Sequence, residues 1–343
     1  MNLTQNLEGC RIGNVFHLEG YPHITDPELD MLGEFPWSEL HLDCTHIDDE
    51  RLRRLHPPHS RRRNVAAFAI WKGEKLSDDS IEFVSRAFNT VQALFLEGCQ
   101  RWTDDGVALC SDVAGLAELT LDNWITDGTG LDYLKRLRTL KSLGVVNHSN
   151  FDSENLRRLQ GTRVRALCLL GTSCKPQHLL HLCQINGLVD LDLTSTGFGD
   201  EGLEAISSMA RLESLKFEDA TVTDGGFVRL ATLPQLKQLI ACCPGVTDQG
   251  AQTVLQLPSL QKLRFTNALI TDQTVSLLPG LNQLVWLALH GCKGVTDAAE
   301  KALAKMTRLK RLSLRSTSIT PNVAERLRLA LPDCEVKFHA GPF

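Results

Sequence analysis

The chain has 343 residues, 43% hydrophobic and 22% charged, with a formal net charge of −5 and an isoelectric point near 6.1. These are the proportions of an ordinary folded, soluble protein, which excludes the disordered and collagen-like classes. The acidic balance disfavours a general nucleic-acid binder, whose phosphate contacts call for surplus lysine and arginine.

Residues 1–13 show no basic stretch leading into an apolar one, so a short N-terminal cap is expected there and no secretory signal. No uncharged apolar run approaches the ~18 residues of a membrane-spanning helix. Phe16-His17-Leu18 opens a frame that returns at Leu40-His41-Leu42, Phe68-Ala69-Ile70, Leu94-Phe95-Leu96, Leu119-Thr120-Leu121, Leu143-Gly144-Val145 and Leu167-Cys168-Leu169. It continues at Leu191-Asp192-Leu193, Leu215-Lys216-Phe217, Leu239-Ile240-Ala241, Leu263-Arg264-Phe265, Leu287-Ala288-Leu289 and Leu312-Ser313-Leu314. Val336-Lys337-Phe338 closes it. The steps are 24, 28, 26 and 25 residues, then seven of 24, then 25 and 24. Fourteen strands in one frame predict about 13 repeats of 24–25 residues over 14–320, with a C-terminal cap and closing strand at 321–343. A chain this long exceeds the usual size of one globular core, but units that pack only on their neighbours remove that limit.

Within a unit, the alternating triplet sends two apolar residues inward and the middle one outward. Another core residue follows, as at Ile47, Ile125, Val222, Val246, Ile270 and Ile319. Then comes Thr-Asp, as in Thr126-Asp127, Thr223-Asp224, Thr247-Asp248 and Thr271-Asp272, whose side-chain oxygens are expected to cap a following helix. Apolar residues beyond the Asp, such as Leu203 and Ile206 or Phe227 and Leu230, would line that helix's inner face. Pro27 after Asp26 suits a first helical turn. Three units depart from the pattern: residues 55–64 lengthen one, residues 144–151 lack a clean Thr-Asp, and Cys174-Lys175-Pro176 replaces it in the next.

After the triplet, other repeats of this kind carry Asn, whereas this chain has Cys99, Cys292, Thr45, Thr172, Thr196 or Thr317. On those residues it resembles the cysteine-containing class of leucine-rich repeats over nearly its whole length. It is similar to the repeats of F-box substrate receptors, and closer still to the ITD-type repeat proteins of bacteria such as planctomycetes. Leu331-Pro332-Asp333-Cys334-Glu335-Val336 looks like the C-terminal cap of that bacterial group. The expected fold is an α/β horseshoe-shaped solenoid, with a parallel sheet on the concave face and helices on the convex one. The F-box likeness implies an alternative role as receptor subunit of a ubiquitin-ligase-like complex; the expected cap leaves no room for an F-box ahead of the repeats.

Four outward patches are candidates for function. Ala67, Ala69, Trp71, Ala93 and Phe95 form an apolar cluster on two adjacent strands, which marks a partner site unless the inner curve or a cap covers it. Trp286, just ahead of its strand's first core residue, should face the same groove. Charge changes sign along the sheet, from Glu39, Asp43, Glu97, Glu118, Asp122, Asp190 and Asp192 to Lys262, Arg264, Arg311, Arg315 and Lys337; this either orients a polar partner or solvates the face. His17, Glu19, His41 and Asp43 should occupy the corners of a rectangle of ~5 by 7 Å, a donor set suited to zinc or a related ion. Arg51, Arg53, Arg54, His56, His59, Arg61, Arg62 and Arg63 form a basic run around Pro57-Pro58, either an anion-binding loop or a solvated one.

Phosphate-loop, nucleophile-elbow and HExxH patterns are missing from the sequence. The expectation is therefore a non-catalytic scaffold without cofactor, gripping a protein or peptide through Trp71, Phe95, Trp286, Asp122, Asp192, Arg264 and Arg315. A metal-dependent binder using His17 and His41 stands as a further alternative. Eleven cysteines without an export signal read as reduced, buried small hydrophobes in a cytoplasmic protein.

Overall fold

The computed structural model describes residue 7 and residues 9–56, 63–124, 127–149, 151–173 and 175–339. Contacts divide the chain into two units: Met1–Thr172 with Gln184–Gly187, and Ser173–Cys183 with Leu188–Phe343. The division falls at the repeat in which Lys175-Pro176 stands where Thr-Asp is expected; Cys174 lies outside the described residues.

Unit 1 contains β1 (Arg11–Ile12), β2 (Val15–Leu18), β3 (Glu39–Asp43), β4 (Asn64–Trp71), β5 (Thr90–Leu96), β6 (Glu118–Asp122), β7 (Ser142–Val146) and β8 (Ala166–Cys168). From β2 onward each strand pairs in parallel with the next, in register. Within the segment expected to form a cap, β1 doubles back antiparallel on β2, Arg11 pairing with Phe16 and Ile12 with Val15. Unit 2 contains β9 (Asp190–Thr194), β10 (Ser214–Glu218), β11 (Gln238–Cys242), β12 (Lys262–Thr266), β13 (Trp286–His290), β14 (Arg311–Arg315) and β15 (Glu335–His339), again a parallel ladder in chain order. Every expected strand is present.

The alternation works as predicted. Leu40, Leu42, Leu191, Leu193, Leu263 and Phe265 are fully buried, while the residues between them face outward. Strand stacks on strand and helical return on helical return. A 24-residue period leaves room for only short returns, so several are one α-turn running into a 3-10 stretch, as in Asp248–Ala251 followed by Gln252–Gln256. Leu203, Ile206, Phe227 and Leu230 form their buried stripe. Ile47, Val222, Val246, Ile270 and Ile319 are buried too; Ile125 and Thr126 lie outside the described residues.

The Thr-Asp pair divides its labour differently from the expectation. Thr223, Thr247, Thr271 and Thr296 cap their own helices, each hydroxyl accepting from the amide two residues on. The Asp instead reaches the next repeat. Asp200 accepts from the Thr223 amide (2.7 Å) and hydroxyl (2.6 Å). The same pairing joins Asp224 to Thr247, Asp248 to Thr271, Asp272 to Thr296 and Asp297 to Thr320. Unit 1 carries its own version, with Asp49 on Ser77 and Asp78 on Thr103. A carboxylate outcompetes a neutral acceptor for these amides, because charge-assisted bonds are roughly twice as strong. In the unit without Thr-Asp, Asp152 caps instead, accepting from the amides of Glu154 and Asn155.

After the triplet, Thr172 and Thr196 are buried and turn their hydroxyls onto the carbonyls of Leu169 and Leu193. Cys99 and Cys292 occupy the same place. Near Thr45, it is Cys44 that enters the core, while Thr45 stays half-exposed and bonds to Asp43. The cysteines are not uniformly buried: Cys44, Cys99, Cys110, Cys243 and Cys292 are, and Cys183 is exposed.

Candidate functional site

In unit 1 the outward middle residues form one column, His17, His41, Ala69, Phe95, Thr120, Gly144 and Cys168. Pairing sets His17 beside His41, with ring centroids 4.9 Å apart. Glu19, two residues beyond His17, turns to the same side. Its Oε1 lies 3.2 Å from Nδ1 of His17 and 3.3 Å from Nδ1 of His41. The first contact is a hydrogen bond. The second lacks hydrogen-bond geometry, so His41 Nδ1 is enclosed without a hydrogen-bond partner. Burial alone would raise the Glu19 carboxyl, but its own backbone amide, the His17 hydrogen bond and the two imidazoles hold it below the ordinary carboxylate value.

Asp43 does not join them. It is fully buried, with Lys72 Nζ at 2.9 Å and the Thr45 amide at 3.0 Å. The expected rectangle is therefore a triangle of His17, Glu19 and His41, whose donor atoms all lie within 4.8 Å of one another.

The apolar patch is more closed than its sequence suggests. Ala69 is fully covered between His41 and Phe95, and Ala67, Trp71, Ala93 and Phe95 are half-buried. The Trp71 indole N–H is enclosed without an acceptor among the described residues. Asp122 accepts from Asn147 Nδ2 at 2.9 Å. Nearby, burial and the Asp122 charge push the Glu97 carboxyl up.

The four described arginines of the basic run are engaged within the chain. Arg51 binds Asp26 at 2.7 Å, Arg53 binds Asp79 at 2.9 Å, and Arg54 binds Asp30 at 2.9 Å. Arg63 donates to the carbonyls of Gly33 and Phe35 and lies over the Trp37 ring. Pro57, Pro58, His59, Arg61 and Arg62 lie outside the described residues. These four arginines are thus ties to the preceding and following repeats.

Unit 2 has the reverse character. Its middle column runs Asp192, Lys216, Ile240, Arg264, Ala288, Ser313 and Lys337. Asp192 is engaged by Lys216 Nζ at 2.7 Å and the Thr194 amide at 3.0 Å. Arg264 stands apart. Its guanidinium lies over the Trp286 ring, 5.0 Å from the centroid, where a cation meets the negative face of the indole. Its Nε is enclosed and without an acceptor. Burial, and then the neighbouring Arg315, push its pKa below the ordinary guanidinium value. Among the described residues neither Arg264 nor Arg315 has a carboxylate in ion-pair contact.

Beside them, His290 contacts Ser313 Oγ at 2.8 Å. Burial first, then Arg264 and Arg315, push it down to about 4, so it is neutral at pH 7. Trp286 lines a groove of about 390 Å³ with Ile240, Lys262 and Arg311. Arg264 lines a second, of about 350 Å³, with Lys216, Glu218, Thr266, Asn267 and His290; the two share Ile240. Thr266, Asn267 and His290 escaped the sequence reading because they lie beyond the triplet, Thr266 and His290 at their strand ends and Asn267 in the turn that follows.

No family model and no curated protein sequence matches the chain. Among solved structures it is similar to that of yeast Rad7 in complex with Elc1, with 17% identity and a TM-score of 0.63 over 93% of this chain and 85% of that one. It is also similar to an internalin from Listeria monocytogenes, with 18% identity and a TM-score of 0.53 over 93% of this chain and 90% of that one. These likenesses are of fold, and with the parallel ladders they establish an α/β leucine-rich-repeat solenoid. No helix among the described residues is long and apolar enough to cross a membrane.

Proposed function

We propose that the chain is a non-catalytic protein-interaction scaffold, and that the outward strand face of unit 2 holds an acidic peptide segment of a partner protein. The observation that carries this reading is Arg264, a half-buried guanidinium with an unpaired Nε, beside a second arginine and, among the described residues, without a carboxylate in ion-pair contact. A desolvated donor left unbonded costs about 1–3 kcal/mol, and like charges add to that cost. With a turn of the side chain to uncover Nε, a partner carboxylate would take Nε and a terminal nitrogen together in the forked geometry that arginine favours. It would also offset the repulsion between Arg264 and Arg315. Trp286 beneath the guanidinium supplies a rigid aromatic floor, the kind of residue on which interface energy concentrates. Lys262 adds positive charge to the adjoining groove that Trp286 lines, where Arg311 is paired with Glu335 at 3.2 Å.

The test uses fluorescein-labelled peptides of equal length, one rich in Glu and one in Lys, titrated by anisotropy at low and high salt. The acidic peptide should bind and weaken with salt, since part of the attraction is screened. Arg264→Gln and Trp286→Ala should each weaken it about tenfold or more, equivalent to about 1.4 kcal/mol. Equal binding of both peptides, or unchanged binding by Arg264→Gln, would refute the reading.

A further inference from the structure

We infer that His17, Glu19 and His41 form a binding site for a divalent transition ion of the zinc class. The site lies in unit 1 and is independent of the peptide reading of unit 2. Three features point to it. Parallel pairing of β2 and β3 holds the two imidazoles side by side on the outward face, and Glu19 turns onto that face two residues after His17. All three donor atoms lie within 4.8 Å of one another, the only such grouping of three or more among the described residues.

The second feature is metric. Zinc bonds to imidazole nitrogen and carboxylate oxygen are ~2.0–2.2 Å long, so neighbouring donors on a tetrahedron sit ~3.3–3.5 Å apart. Glu19 Oε1 lies 3.2 and 3.3 Å from the two Nδ1 atoms, which is that edge length.

The third is the unsatisfied atom. His41 Nδ1 is enclosed and 3.3 Å from a carboxylate oxygen, yet the direction is wrong for an N–H···O bond. A structural His–Glu contact would be aligned as His17 is. A nitrogen this close to the carboxylate without a hydrogen bond to it suits a shared ion better than a shared proton.

The donor set chooses the ion. Calcium and magnesium take oxygen ligands, whereas two imidazoles and one carboxylate suit zinc, cobalt, nickel or copper. Three protein ligands leave a coordination position open, and His17 and Glu19, 45% and 37% exposed, leave it facing solvent. A water would occupy that position, or a donor from a bound partner. By contrast, the stacked His23 and His46 rings, 5.3 Å apart, gather no third donor among the described residues.

The experiment uses the full chain without a histidine tag. Zinc alone is titrated in competition with a chromophoric chelator, and cobalt is followed by its visible absorption. Wild type should take one ion per chain, with a cobalt spectrum of low-coordinate nitrogen and oxygen ligation. His17→Ala, His41→Ala and Glu19→Gln should each weaken binding about 100-fold or more, beyond the 10–100-fold cost of losing an outer-shell group. All three side chains lie on the outward face, and circular dichroism should show each variant folded. Failure of wild type to compete with a weak chelator would overturn the proposal. So would unchanged affinity in the folded His17→Ala and His41→Ala variants, or a cobalt spectrum dominated by thiolate charge transfer.

Discussion

Replacing Asp248 with Ala tests whether the aspartates bond repeat to repeat. The carboxylate accepts from the Thr271 amide at 2.8 Å, the Thr271 hydroxyl at 2.6 Å, the Thr274 amide at 3.2 Å, and the Thr274 hydroxyl. A hydrogen bond to a charged group contributes about 1.5–3 kcal/mol, but these four share one carboxylate and do not add. Thr271 is exposed, so water replaces much of what it loses. Thr274 is only 1% exposed, so its donors lose their acceptor with little access to water. The expected loss is about 2–3 kcal/mol, weighted toward Thr274. Thr271→Val, which removes a helix cap and the same bond, should cost about 1–2 kcal/mol. Urea unfolding of both singles and the double variant gives the coupling, which should be about 1 kcal/mol. Hydrogen exchange at the Thr271 and Thr274 amides localises the effect, because repeat arrays need not unfold in one step. Additive losses within about 0.3 kcal/mol, or unchanged exchange at both amides, would show that Asp248 acts only within its own helix.

Other outcomes follow from the same geometry. A Cβ on Gly226 would stand 2.3 Å from Asp200 Oδ1 and 2.6 Å from its Cα. Gly226→Ala should therefore destabilise by about 1–3 kcal/mol despite its better helix propensity, measured by thermal and urea unfolding. Burial raises the thiols of Cys44, Cys99, Cys110, Cys243 and Cys292, the last pushed up to about 12, so these five should resist a thiol reagent until the chain unfolds. Exposed Cys183 should react in the native state, as mass spectrometry of labelled peptides would show. Burial would raise the carboxyls of Asp248 and Asp43, but hydrogen bonds from Thr271 and Thr274, and from Thr45 and Lys72, hold both below their ordinary 3.8. The stability they contribute is full above that value and lost as pH falls through it toward their folded values, so urea midpoints should drop between about pH 5 and pH 2. Asp248→Ala should flatten that slope.

Strands, helical returns and core were legible because their causes are local. A period of two sends Leu40 and Leu42 inward whatever lies next door, and a 24-residue period aligns each such pair with the next. Thr223 likewise caps a helix that begins beside it. The same local view misassigned Asp224, whose amide and hydroxyl partners sit on Thr247, 23 residues away. It also read Arg51, Arg53 and Arg54 as a free basic run, when their acids lie one repeat to either side.

The candidate sites divide along the same line. The sequence alone determined that His17 and His41 are neighbours, since equal spacing in a parallel ladder requires it, and that Trp286 and Arg264 share an outward face. It could not distinguish Glu19 from Asp43, which follow their histidines identically. Only the tertiary structure did, by bringing Lys72, just past the end of the next strand, onto Asp43 and leaving Glu19 between two imidazoles. It likewise decided that Asp192 is neutralised by Lys216 while Arg264 has no carboxylate in ion-pair contact among the described residues. The physical reason is range. Periodicity fixes which way a side chain points, whereas the charge it meets arrives through contacts of a few ångströms between residues about 24 positions apart.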